Sequence, residues 1–131
     1  MNHIWSWRDG WILMSIYAAN QKTDGALSDI IGAADAINHA IPTELELSKT
    51  LTKLAQHGVI TCKENQIRIA ACFLESIERV YQSKGGLFQS AEKGLKWLKR
   101  NEFVKINVEQ YVITSDQATS AYQEYLEKLR R

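Results

Sequence analysis

At 131 residues the chain can hold one domain, or one domain with a substantial extension; its 45% hydrophobic content supports a core, and its single proline argues against long disordered linkers. The net charge of +1 is low for a nucleic-acid binder, but residues 1–47 sum to −4 and residues 48–131 to +5, which leaves room for an anionic partner in the second part. Cys62 and Cys72 are too few for a disulfide framework and read as buried small hydrophobes, and the longest nearly apolar run, residues 11–19, falls far short of the roughly 20 residues of a membrane span.

The first residues lack a basic region followed by an apolar core, so no signal peptide is expected and a cytoplasmic location is. Ser6-Trp7-Arg8-Asp9 is a capping box opening a helix to about Asn20. Trp11, Ile12, Met14, Ile16 and Tyr17 make that helix apolar on most sides, which predicts a central position in the core. Thr23-Asp24-Gly25 is a turn, Ala26-Leu27 reads as a short strand, and Ser28 reads as the cap of a second helix to about His39. Ile30, Ile31, Ala34 and Ile37 form the inward face of that helix.

Pro42 cannot sit inside a helix and biases Ile41 toward extended backbone. Thr43 and Glu46 then form a second capping box. Leu47, Leu51 and Leu54 recur at helical spacing, and Gly58 is the expected left-handed stop. Val59, Ile60, Ile67 and Ile69 flank the polar turn Lys63-Glu64-Asn65-Gln66, the pattern of a β-hairpin. Residues 71–84 follow as an amphipathic helix with Phe73, Leu74, Ile77, Val80 and Tyr81 on its apolar face, broken by Gly85-Gly86. Ser90 is the expected cap of a helix carrying Ala91, Leu95, Trp97 and Leu98 to about Asn101. Residues 103–106 and 110–113 read as two strands around Asn107-Val108-Glu109. Thr114 or Ser115 caps a last helix with Ala118, Ala121, Tyr122, Tyr125, Leu126 and Leu129.

A shift of 44 residues superposes these patterns. Lys49, Leu51 and Leu54 fall on Lys93, Leu95 and Leu98; Val59 and Ile60 fall on Phe103 and Val104. Gln66, Ile67 and Ile69 fall on Gln110, Tyr111 and Ile113, and Ser76 and Tyr81 on Ser120 and Tyr125. Duplication and the chance likeness of two helix–hairpin–helix patterns both account for the echo.

Helix, helix, short turn, helix and hairpin is the order of a winged helix. Over roughly residues 9–70 the chain resembles the winged-helix transcriptional regulators of bacteria, broadly the MarR and PadR kind. Tyr111-Val-Ile-Thr-Ser-Asp-Gln117 is similar to the Y-x-L-T-x-x-G that closes the wing in those proteins, with Gln117 where Gly is usual. The first hairpin ends in Ala70-Ala71 where that pattern has Thr. The resemblance implies a mainly α, α+β fold: a winged-helix domain with a β-hairpin wing over residues 1–70, then a helix–hairpin–helix extension or degenerate second winged helix over residues 71–131. Only residues 85–89 are available for a second helix in that second unit.

The resemblance also implies that the third helix enters the major groove of double-stranded DNA and that the wing touches backbone or minor groove. That helix would present Lys49, Thr52, Lys53 and Gln56, and the wing would add Lys63 and Arg68. Glu44 and Glu46 at the helix start repel phosphate. The second unit is more basic, with Lys93, Lys96, Lys99, Arg100 and Lys105 against Glu92 and Glu102. Lys93, Lys96 and Arg100 share one helical face, a spacing suited to phosphates. The competing account of this stripe is a solvated face complementing the helix dipole.

His3, His39 and His57 are scattered, with no HExxH or paired-cysteine spacing, no phosphate-cradling glycine loop and no marked nucleophile. No metal, cofactor or catalytic role is expected. Trp5, Trp7, Trp11 and Trp97 suit core packing first and a dimer contact or small-molecule pocket second. The expectation is a small, non-catalytic, DNA-binding, transcription-regulator-like homodimer, joined through Tyr122, Tyr125, Leu126 and Leu129 or through the N-terminal tryptophans. The alternative is a protein-interaction or dimerisation module that keeps the fold without binding DNA.

Overall fold

The computed structural model describes residues 4–63, 66–108 and 110–130. The hairpin turn residues Glu64 and Asn65, and likewise His3 and Glu109, lie outside the described residues. The elements are α1 (Trp7–Asn20), α2 (Leu27–Asn38), α3 (Glu44–Gln56), β1 (Ile60–Lys63), β2 (Gln66–Ile69), α4 (Ala71–Tyr81), a 3-10 turn (Leu87–Gln89), α5 (Ser90–Arg100) and α6 (Ser115–Leu129). The protein is therefore mainly helical with one small antiparallel hairpin among the described residues, an α+β arrangement. None of the described helices is long and apolar enough to cross a membrane.

α1 starts where the capping pattern predicts: the Ser6 backbone N–H donates to Asp9 Oδ2 at 2.9 Å. Every residue from 9 to 17 is buried, as its all-round apolarity requires. The helix packs against α5, α2 and α3. Trp11 is anchored by its indole N–H, which donates to the Ala34 carbonyl on α2 at 3.0 Å. Gly10 and Gly94 meet where α1 and α5 cross; a Cβ on Gly94 would lie 2.6 Å from the Gly10 carbonyl oxygen. Only glycine allows that approach.

Asp9 is 2% exposed and joins α1 to α3. Its Oδ1 accepts from Thr50 Oγ1 at 2.9 Å, and its Oδ2 accepts from Lys53 Nζ at 2.6 Å. A buried carboxylate is tolerated because both oxygens are satisfied and a cation lies beside it. α3 forms as its capping box predicts, with Glu46 N–H donating to Thr43 Oγ1 and Thr43 N–H to Glu46 Oε1. Gly58 has φ +71° and turns the chain into β1. The hairpin register pairs Ile60 with Ile69 and Lys63 with Gln66, so Ile60, Ile67 and Ile69 enter the core.

Several sequence expectations are corrected. Ala26-Leu27 is not a strand: Ala26 is the N-cap residue of α2, and Leu27 is already helical. The outer edge of β2 is closed instead by Gly25, whose carbonyl accepts from Ile67 N–H at 2.9 Å, and by Asn20. The Asn20 side chain donates to the Ile67 carbonyl at 3.0 Å and accepts from Ile69 N–H at 2.9 Å, doing the work of a neighbouring strand. Ser28 and Ser90 lie inside their helices and cap neither. α4 ends at Tyr81, three residues before Lys84.

Residues 103–106 and 110–113 form no strands. The backbone N–H groups of Ile106, Tyr111 and Ile113 go to α3 instead, as described below. Phe103 starts this extended stretch by packing its ring 5.8 Å from Trp5, 5.4 Å from Phe73 and 5.6 Å from Trp97. α6 then begins with a third capping box: Gln117, standing where the wing motif has Gly, accepts from Thr114 N–H at 2.9 Å. α6 lies on α2. There Tyr125 OH donates to Asp35 Oδ2 at 2.7 Å, a bond that pushes its pKa up to about 12. Tyr125, one of the expected dimer contacts, is thus engaged within the chain.

Candidate functional site

α3 was the expected DNA-reading helix, and its outer face is largely occupied. Ser48, Thr52 and Gln56 recur every four residues and form one stripe. Ile106, Tyr111 and Ile113 meet this stripe in the reverse order. Ile106 N–H donates to the Gln56 carbonyl at 2.7 Å. Tyr111 N–H donates to Thr52 Oγ1 at 2.8 Å, and that hydroxyl donates back to the Tyr111 carbonyl at 3.0 Å. Ile113 N–H donates to Ser48 Oγ at 2.8 Å. Each hydroxyl substitutes for part of a strand partner, which explains why this stretch is extended without belonging to a sheet.

The basic residues of α3 divide. Lys53 is committed: its ammonium donates to Asp9 at 2.6 Å and to the Ile4 carbonyl at 2.5 Å, and lies 5.4 Å from the centre of the Trp5 ring. Lys49 is exposed. In the hairpin, Lys63 is exposed and Arg68 approaches Asp24 at 3.6 Å, both largely solvated. Glu44 accepts from Ser115 Oγ at 3.1 Å, and Glu46 lies 3.7 Å from Arg8. The outward part of α3 is therefore Glu44, Leu45 and Lys49, a poor set for a polyanion.

The second basic set comes together. A groove of about 420 Å³ lies between the end of α4 and the length of α5. Lys93, Lys96 and Arg100 line it from α5, as their shared helical face predicts, and Arg79 and Lys84 join from α4 and the turn after it. Five cations thus face one carboxylate, Glu92. Lys93 is partly committed, donating to the Ser83 carbonyl at 2.9 Å and the Tyr81 carbonyl at 3.4 Å at the end of α4. Lys84, Lys96 and Arg100 are exposed and have no ion-pair partner among the described residues. Arg79 makes a long 4.0 Å contact with Glu75, both solvated, which leaves it available. Lys99 and Lys105 are exposed but lie outside the groove lining.

Sequence reasoning missed Arg79 and Lys84 because they belong to the preceding helix and its turn. The available signal was the polar face of residues 71–84, which has to point away from Phe73 and Ile77. Among the described residues no three of His, Cys, Asp and Glu gather to hold a metal ion. Of the two cysteines expected to be buried, Cys72 is exposed on α4, while Cys62 is half-buried on β1, where burial pushes its thiol up to about 11, away from nucleophilic use near neutrality. Comparison with protein-family models, with curated proteins and with solved structures finds no match to this chain.

Proposed function

We propose that this is a non-catalytic nucleic-acid-binding protein, transcription-regulator-like, that holds phosphates in the α4–α5 groove. The carrying observation is the convergence of Arg79, Lys84, Lys93, Lys96 and Arg100 on one concave surface with Glu92 as the sole acid in its lining. Binding there is chiefly electrostatic, through displacement of counterions from the phosphate backbone. The helix–helix–helix–hairpin order supports the winged-helix reading of residues 9–70. Within that reading α3 is mainly a structural helix, because the Ser48 and Thr52 hydroxyls and the Gln56 carbonyl are engaged by Ile113, Tyr111 and Ile106. A cytoplasmic homodimer belongs to the same reading, with exposed Trp7 and Leu129 as its apolar contacts.

Fluorescence anisotropy with labelled random duplex DNA tests the reading. Binding at about 50 mM salt should weaken by orders of magnitude at about 200 mM. The double variant Lys96→Glu/Arg100→Glu should lose binding, while Lys49→Glu should retain most of it. No binding of any nucleic acid at low salt sinks the proposal. The second reading is a protein-interaction module, favoured by the exposed apolar side chains Val104, Ile106 and Val112 along residues 102–114.

A further inference from the structure

A cavity of about 500 Å³ opens where the end of α1, one face of α2 and the 3-10 turn come together. That size lies within the roughly 300–1,000 Å³ of small-molecule pockets. The cavity shares no lining residue with the α4–α5 groove. Its walls are largely aliphatic. Ala33, Ala36 and Ile37 line it from α2 at helical spacing, and Ala18 lines it from α1. Leu87 lines it from the 3-10 turn and is left 43% exposed. Alanine methyls leave open the space that longer side chains would fill. Tyr81 also lines the cavity, with its ring already packed against Tyr17, the centres 4.9 Å apart.

The polar groups of the lining are not equivalent. Asp29, its one carboxylate, accepts from Lys128 Nζ at 2.8 Å. Thr23 Oγ1 donates to the Ala19 carbonyl at 3.0 Å. Gln21 and Lys22 are exposed, and their side chains have no hydrogen-bond or ion-pair partner among the described residues. The rim therefore offers an unspent ammonium and an amide donor above an apolar interior, with the nearby acid already paired. That charge arrangement complements a ligand with an apolar body and an anionic head.

We infer that this cavity binds an aliphatic carboxylate, its alkyl chain against the alanine walls and its head on Lys22, with Gln21 as a second donor. Burial of the chain supplies the affinity, and the ammonium selects the charged head. The inference does not depend on the nucleic-acid reading.

The test is a titration with octanoate and with octanol, read from the backbone amide resonances of the isotope-labelled chain. The expected result with octanoate is saturable shifts at Ala18, Ala33 and Ala36. Lys22→Glu should weaken octanoate about tenfold and leave octanol unchanged. Ala36→Phe fills the cavity and should abolish binding of both. Ala36 is exposed, so the fold should tolerate the ring, which retained dispersion of the amide spectrum checks. Should that variant fail to fold, Lys22→Glu decides alone. Absence of saturable shifts at these amides at millimolar octanoate overturns the inference. So does an unchanged octanoate affinity in Lys22→Glu, an equal loss for octanol there, or undiminished binding to a folded Ala36→Phe.

Discussion

The two helix–linker–helix stretches, α3 to α4 and α5 to α6, have closely corresponding helices but different chains between them. α4 begins at residue 71 and α6 at residue 115, 44 residues later, and α3 and α5 correspond over residues 46–56 and 90–100. Between α3 and α4 the chain folds into β1 and β2. Between α5 and α6 the described residues form no strand, and Ile106, Tyr111 and Ile113 bond to α3. The first difference is at the helix end. Gly58 takes the left-handed conformation that turns the chain back, whereas Glu102 stands at the matching position and Asn101 leaves α5 extended, at φ −99° and ψ 152°. The second is in the hydrogen bonds: the Tyr111 and Ile113 amides go to Thr52 and Ser48, so they are not available for a second hairpin. Equal spacing in sequence therefore carried over the helices and not the pairing.

The same positions also bear different loads, which mutation can expose. Leu51 is fully buried and Leu95 only partly. Leu51→Ala should cost about 2–5 kcal/mol in urea unfolding, and Leu95→Ala clearly less. Equal costs would break the contrast between the two units. Gly94 and Thr50, also 44 residues apart, both press on the start of α1, by opposite means. Gly94→Ala forces a Cβ against backbone and should cost about 1–3 kcal/mol, while Thr50→Ala loses one hydrogen bond to Asp9, about 1 kcal/mol.

Ser48→Ala and Thr52→Ala should each cost about 1–2 kcal/mol and speed amide exchange at Ile113 and Tyr111. Their counterparts Glu92 and Lys96 are exposed, and alanine there should change stability by no more than about 0.5 kcal/mol. Unchanged exchange at Tyr111 in Thr52→Ala would show that the hydroxyl does not hold the segment. Gly58→Ala should cost about 1 kcal/mol from the positive φ alone, since a Cβ there meets nothing within 4 Å. Glu102→Gly should be near neutral.

Much of this was legible beforehand. The capping pairs Ser6/Asp9 and Thr43/Glu46 sit at the starts of real helices, Thr114 caps α6, and Lys93, Lys96 and Arg100 share a face as their spacing requires. Thr52 was equally visible on the face of α3 expected to meet DNA, and its hydroxyl is bonded to Tyr111 within the chain. A small polar side chain on a helix face can meet a nucleic acid or the protein's own backbone, and spacing does not distinguish them. Asn20 closing the edge of β2 left no local signal at all, because its partners Ile67 and Ile69 lie 47 and 49 residues away.

What the sequence determined alone was where α1 and α3 start, where α3 stops and which faces of α1, α2 and α3 turn inward. Those features rest on hydrogen bonds and contacts within about four residues, so neighbouring side chains suffice to specify them. Only the tertiary structure decided what residues 102–114 pair with, which α3 cations are consumed by Asp9, and that Arg79 and Lys84 join the α5 stripe. An extended backbone must find its partners elsewhere in the chain, and a charge is available or spent according to what packs beside it.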